Sequence, residues 1–185
     1  MNKKITLTLV VLSIVSLTNA QDLKKEVKTV ETKMEAFASK TGTITKFVDT
    51  KLPNLKLYLG SIAVTRIRKL TSGNDIRYFY QIEKEGKYSS NTASIEHSDL
   101  LEVIKALGTL KTDVEKDLLA NPDYLENKFV TVDGFQLGYY ISDGKSKWYL
   151  KLEKFGSDNT IFINDYQTIE IAFLEAKAKI EELKK

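Results

Sequence analysis

Arg77-Tyr78-Phe79-Tyr80-Gln81-Ile82-Glu83-Lys84 and Lys147-Trp148-Tyr149-Leu150-Lys151-Leu152-Glu153-Lys154 are the two stretches on which the reading of this 185-residue chain turns. Laid on one another at a shift of seventy, both alternate apolar with polar residues, both end in Glu-Lys, and Gly86 falls on Gly156. Alternation with a period of two marks a half-buried strand. Asn91-Thr92 and Ile95 fall on Asn159-Thr160 and Ile163 at a shift of sixty-eight, which carries Glu102-Val103 onto Glu170-Ile171. One shorter turn explains the smaller shift, and the chain reads as an internal repeat.

The flanking sequence extends the match. Residues 43–50, 56–70, 75–84 and 91–96 are rich in strand formers and are separated by Leu52-Pro53-Asn54, Ser72-Gly73-Asn74 and Glu85-Gly86. Those are turn residues, so the four runs predict an antiparallel meander. Asp99 and Glu102 have capping-box spacing, and Leu100, Val103, Leu107, Leu110, Val114 and Leu118 form a helical stripe closed by Asn121-Pro122. Strands at 129–132, 135–141, 147–153 and 160–163 follow, joined at Asp133-Gly134, Asp143-Gly144 and Gly156, before a helix from Tyr166 onward. Upstream, Leu23, Val27, Val30, Met34 and Phe37 place one stripe on a helix over 22–38.

The expected fold is therefore α+β: an N-terminal helix, then two ββββα repeats whose antiparallel sheets pack about a pseudo-twofold. The divisions are 1–20, 21–40, 41–122 and 123–185, with both repeats in one compact domain. A lone curved sheet with one helix has difficulty burying both faces, and two copies solve that by sharing a core. The alternative is a single α+β domain whose halves are alike by chance. The order ββββα, twice, resembles the PUR-type and Whirly-type modules over residues 43–185 in element order and length. That resemblance implies single-stranded nucleic acid as a ligand class, and it supplies no residue motif from which a site could be transferred.

Asn2-Lys3-Lys4, the apolar run Ile5–Leu17 and Thr18-Asn19-Ala20 have the order of a secretory signal peptide cleaved near Ala20. The run is shorter than the roughly 20 residues a membrane span needs. Export to the periplasm or beyond the cell is the expected localisation, in the bacterial envelope or secretome, with no transmembrane segment in the mature chain. Removing residues 1–20 leaves 165 residues with 26 basic against 25 acidic side chains. Near-neutrality argues against a protein held on nucleic acid by charge. Without a cysteine and with 42% apolar residues, the exported chain must be held by packing alone.

The alternation of the paired strands assigns Tyr78, Tyr80, Ile82, Trp148, Leu150 and Leu152 to the core. The opposite face then carries Phe79, Gln81 and Glu83 in one strand and Tyr149, Lys151 and Glu153 in the other, joined from neighbouring strands by Arg66, Arg68 and Tyr140. Aromatic rings among basic groups on an open sheet suit stacking against a ligand. Ordinary cross-strand pairing gives the same pattern. His97, the one histidine, stands at a helix start, where capping rather than catalysis explains it, and no cysteine or second histidine is available for a zinc site. No phosphate loop, calcium loop or catalytic constellation is legible, and no cofactor is expected. The leading expectation is a non-enzymatic binding module for a protein, peptide or glycan, acting through an outer sheet face or the cleft between repeats. A single-stranded nucleic-acid binder and a carboxylate-based hydrolase are the alternatives from other classes, and the N-terminal stripe allows a homodimer.

Overall fold

The computed structural model describes residues 31–86 and 90–185. The expected signal peptide and the first part of the N-terminal helix, with Leu23, Val27 and Val30, lie outside the described residues. Within them the protein is α+β, with two antiparallel sheets and three helices.

Helix α1 (Lys33–Ala38) starts at a capping box in which Thr32 and Glu35 satisfy each other's backbone N–H groups. Strands β1 (Thr45–Lys51), β2 (Leu55–Lys56), β3 (Ile62–Ser72), β4 (Asp75–Lys84) and β5 (Asn91–Glu96) form the first sheet in the order β1-β3-β4-β5, with β2 paired to β3. Helix α2 (His97–Leu119) leads to the second sheet, β6 (Tyr124–Val130), β7 (Gln136–Ser142), β8 (Lys145–Lys151) and β9 (Thr160–Ile163), paired in chain order. Helix α3 (Tyr166–Leu183) ends the fold.

Both sheets feed one core. Tyr78, Tyr80, Ile82, Trp148, Leu150 and Leu152 are all buried in it, on the side their alternation indicated. Helix α2 packs on β4 and β5 and also across β6, β7 and β8, while α3 packs on β9 and across β2 and β3. Each helix thus lies against strands of the other half. Phe173 of α3 meets Tyr80 edge-on at 5.7 Å and Phe135 at 6.3 Å, and the Tyr78 hydroxyl donates to the Leu183 carbonyl at 2.9 Å. Burying a ring of this size contributes about 1.5–3 kcal/mol, so separating the halves would be costly.

Four local expectations are corrected. The run 56–70 is not one strand: a 3-10 turn at Tyr58–Gly60, with Leu59 and Gly60 at positive φ, breaks it before β3. Strand β6 begins at Tyr124, not 129, because its polar Glu126, Asn127 and Lys128 mask a real alternation. Helix α2 starts at His97 with Glu96 as its N-cap residue, and Asp99 caps nothing; it is buried in the first turn and accepts a hydrogen bond from Lys33. The shift of sixty-eight also fails at the helices, since Val103 is fully buried while Ile171 is 59% exposed.

Candidate functional site

Strand register places two sets of side chains on the faces turned away from the core. On the first sheet, Asp49 of β1, Arg68 of β3, Phe79 of β4 and Glu96 of β5 share one row, and Arg66, Gln81 and Ser94 share the next. The middle of this face is closed by α1, while Phe47 at its β1 edge stays 48% exposed. Phe37 of α1 packs on Leu70 and Phe79, with Met34 and Ala38 beside them, and Phe79 is 0% exposed. Lys33 anchors the helix: its ammonium meets Asp99 at 2.5 Å and Glu96 at 3.6 Å, while its backbone N–H donates to Asp133 in the turn after β6. Burial alone would lower the Lys33 pKa, but Asp99 and Glu96 outweigh it and the net shift is upward. Asp133 is raised by burial, against the opposing Lys33 N–H.

What α1 leaves uncovered on this sheet is an ion-pair ladder. Arg68 grips Asp49 through two bonds of 2.7 Å, and Arg66 donates to Gln81 at 2.8 Å and Glu83 at 2.6 Å. The Arg68 fork holds the Asp49 carboxyl below its usual range. Such forks are planar and bidentate, so both guanidinium groups are already answered. Arg66, Arg68, Phe79 and Gln81 therefore come together as the alternation indicated, but Phe79 and Gln81 are buried, which removes them as a contact surface. The alternation could not show that the N-terminal helix folds back over them.

The corresponding face of the second sheet is open. Its rows carry Tyr124, Glu126, Lys128 and Val130 from β6, Gln136, Gly138, Tyr140 and Ser142 from β7, Lys145, Lys147, Tyr149 and Lys151 from β8, and Thr160 and Phe162 from β9. Tyr124 is 64% and Phe162 43% exposed, and half-buried Tyr140 lies between them. Tyr124 and Tyr140 stack at 6.3 Å with a 27° tilt, Tyr140 and Phe162 meet edge-on at 6.3 Å, and the Lys147 ammonium sits 5.7 Å from the Tyr140 ring centroid.

Tyr149 forms the floor of this cluster. It faces Gly138 across the ladder, yet its hydroxyl donates to Glu126 on β6 at 2.5 Å, so its ring crosses β7 where no side chain intervenes. Position 138 also has no room for a side chain: a Cβ there would stand 2.5 Å from the Asn127 carbonyl oxygen and 2.7 Å from Lys128 Cβ. Burial, then the Glu126 carboxylate, push the Tyr149 hydroxyl above the ordinary phenol range, and that hydrogen bond lowers Glu126. Tyr149 is consequently buried, and not the exposed ring its position on this face suggested.

Of the residues picked out in the sequence, Tyr140 and Lys151 lie on the open face. Tyr124 and Phe162 were missed, the first because β6 starts earlier than its polar residues suggest, the second because β9 is short. A cleft of about 340 Å³ also joins the halves, between Met34, Thr92, Asp133, Phe135, Glu153 and Phe155. Among the described residues no three His, Cys, Asp or Glu side chains are grouped to hold a metal ion, and no helix is long and apolar enough to cross a membrane. Compared with protein-family models, curated proteins and solved structures, the chain finds no match in any of the three.

Proposed function

We propose that the protein is a non-enzymatic binding module, exported after loss of residues 1–20, that holds its ligand on the outer face of the second sheet. The observation that carries this reading is the cluster of exposed Tyr124 and Phe162 around half-buried Tyr140 over a built floor, on a face that no helix covers among the described residues. Large apolar rings grouped in solvent lower their free energy when a ligand covers them. The floor keeps the cluster rigid, so little ordering entropy opposes binding.

The proposal includes two related ββββα units about a pseudo-twofold, in the element order of PUR-type and Whirly-type modules. Register supports it. Ile67 pairs with Tyr80 as Leu137 pairs with Leu150, so β3 and β4 superpose on β7 and β8 at a shift of seventy. Tyr80 then faces Ile95 as Leu150 faces Ile161, which relates β5 to β9 at sixty-six. The same sixty-six carries buried Val103, Leu107, Leu110 and Val114 onto buried Ile169, Phe173, Ala176 and Ile180.

The reading is tested by screening the protein and its Tyr140→Ser/Phe162→Ser double variant against immobilised glycans and peptides. A ligand held by the wild type and released by the folded variant supports it. Equal retention by both overturns the choice of face and directs attention to the cleft between the halves.

A further inference from the structure

We infer that the ligand of this face is an acidic polysaccharide with sparse carboxylates, its sugar rings lying on Tyr124, Tyr140 and Phe162 and its carboxylates meeting Lys145, Lys147 and Lys151. The inference rests on the binding-module reading and adds the chemistry of the ligand.

Charge is the first argument. The second sheet's outer face carries four lysines, Lys128, Lys145, Lys147 and Lys151, and one acid, Glu126. Glu126 answers Lys128 at 3.2 Å and accepts from Tyr149. Lys145, Lys147 and Lys151 have no carboxylate partner among the described residues. The first sheet's outer face is balanced by contrast, Asp49, Asp75, Glu83 and Glu96 standing against Lys51, Arg66, Arg68 and Arg77. A net excess of ammonium groups around an apolar cluster selects an anionic ligand.

Shape is the second. Tyr124, Tyr140 and Phe162 present ring surface on a sheet, and two clefts among the described residues lie beside α1, away from them. A polypeptide gains specificity by adding to a sheet edge or by seating side chains in pockets. A pyranose instead offers a flat C–H face that rests on an aromatic ring. The third argument separates sugar from nucleic acid. All three arginines of the chain lie on the first sheet, so this face lacks the guanidinium fork that suits phosphate. Three unanswered lysines are also few for a polymer with a charge on every nucleotide.

The test is affinity electrophoresis and calorimetry of the protein with hyaluronate, which has one carboxylate per two sugars, beside its carboxyl-reduced form, poly-L-glutamate and oligo(dT). Hyaluronate is expected to bind, and carboxyl reduction, Lys147→Gln and Tyr140→Ala each to weaken it on the order of tenfold. Absence of hyaluronate binding, or equal affinity for the reduced form, overturns the acidic-glycan inference. Equal affinity for poly-L-glutamate shows recognition of charge alone and overturns it too. Tighter binding of oligo(dT) replaces it with single-stranded nucleic acid on the same face. Hyaluronate binding indifferent to Tyr140→Ala and Phe162→Ala would keep the ligand but overturn the face, and with it the site of the binding module.

Discussion

The outer faces of the two sheets begin from similar strands and end in opposite conditions. On the first, Phe79 is sealed beneath Phe37 and the neighbouring charges cancel in pairs such as Arg68 with Asp49. On the second, Tyr124 and Phe162 stay in solvent around half-buried Tyr140, and Lys145, Lys147 and Lys151 are left unanswered among the described residues. The difference originates outside the strands. A short helix with Met34 and Phe37 on one side, held at its start by Lys33, converts the middle of one face into a minor core, while among the described residues no helix covers Tyr124 and Phe162 on the other. A face can thus become structure or surface without a change in its own strand pattern.

The largest way to break this contrast is to treat both faces alike. Phe79→Ser should cost about 3–5 kcal/mol, because it empties a fully buried ring site and strands a hydroxyl there. Tyr140→Ser should cost no more than about 1 kcal/mol. Urea unfolding of the two variants side by side measures it, and equal losses would mean that Tyr140 supports the fold rather than a ligand.

Gly138→Val comes next. The new side chain meets the Asn127 carbonyl and obstructs the path of the Tyr149 ring, so a loss of about 1–3 kcal/mol is expected. Fluorescence of Trp148, the one tryptophan and the neighbour of Tyr149, and thermal unfolding together check it, and a neutral result would show that the floor of the open face is not fixed at Gly138.

Removing the anchor of α1 sharpens the comparison from the other side. Lys33 is about one-third exposed, so Lys33→Ala should cost only about 1 kcal/mol globally. It should nevertheless speed amide exchange across Met34–Ala38, leaving the first face partly uncovered while β4 remains protected. Unchanged exchange there would place the anchoring in Phe37 alone.

The smallest effect is a pH slope at the far end of the first sheet. His97 accepts from the Lys184 ammonium at 2.8 Å through Nδ1, and its Nε2 is buried without a partner. Burial, then Lys184 and Lys177, lower its pKa from 6.5, against the weaker pull of Glu181 and Glu96. The folded state therefore favours neutral imidazole. Its contribution is complete above pH 6.5 and is lost as pH falls below that value toward the depressed folded pKa. His97→Asn should flatten the decline in stability as pH falls below 6.5, and an unchanged slope would assign it to the carboxylates.

Much of the fold was legible because periodicity reports on burial. The inward sides of β4 and β8, the stripes of α2 and α3, and turns at Asp143-Gly144 and Ser72-Gly73 all follow from spacing and turn chemistry. Less of the site was legible. Period two separates Phe79 from Tyr80 and Tyr149 from Leu150, but both sides of these strands are apolar enough to be buried, so the pattern could not say which ring meets water. Tyr140 and Lys151 were found by their place in the alternation. Tyr124 lay ahead of the expected strand start, although Tyr-Leu-Glu-Asn-Lys-Phe-Val does alternate once the polar residues are read as strand.

By itself, then, the sequence determined the elements and their inward faces, since a helix or strand must turn its apolar stripe away from water whatever its partners are. The tertiary structure decided the rest: that α2 and α3 each pack on strands of the other half, that α1 folds back over Phe79, and that Tyr149 crosses Gly138 to reach Glu126. These are contacts between segments distant in the chain, and only their geometry in the packed molecule determines which apolar surface is left for a ligand.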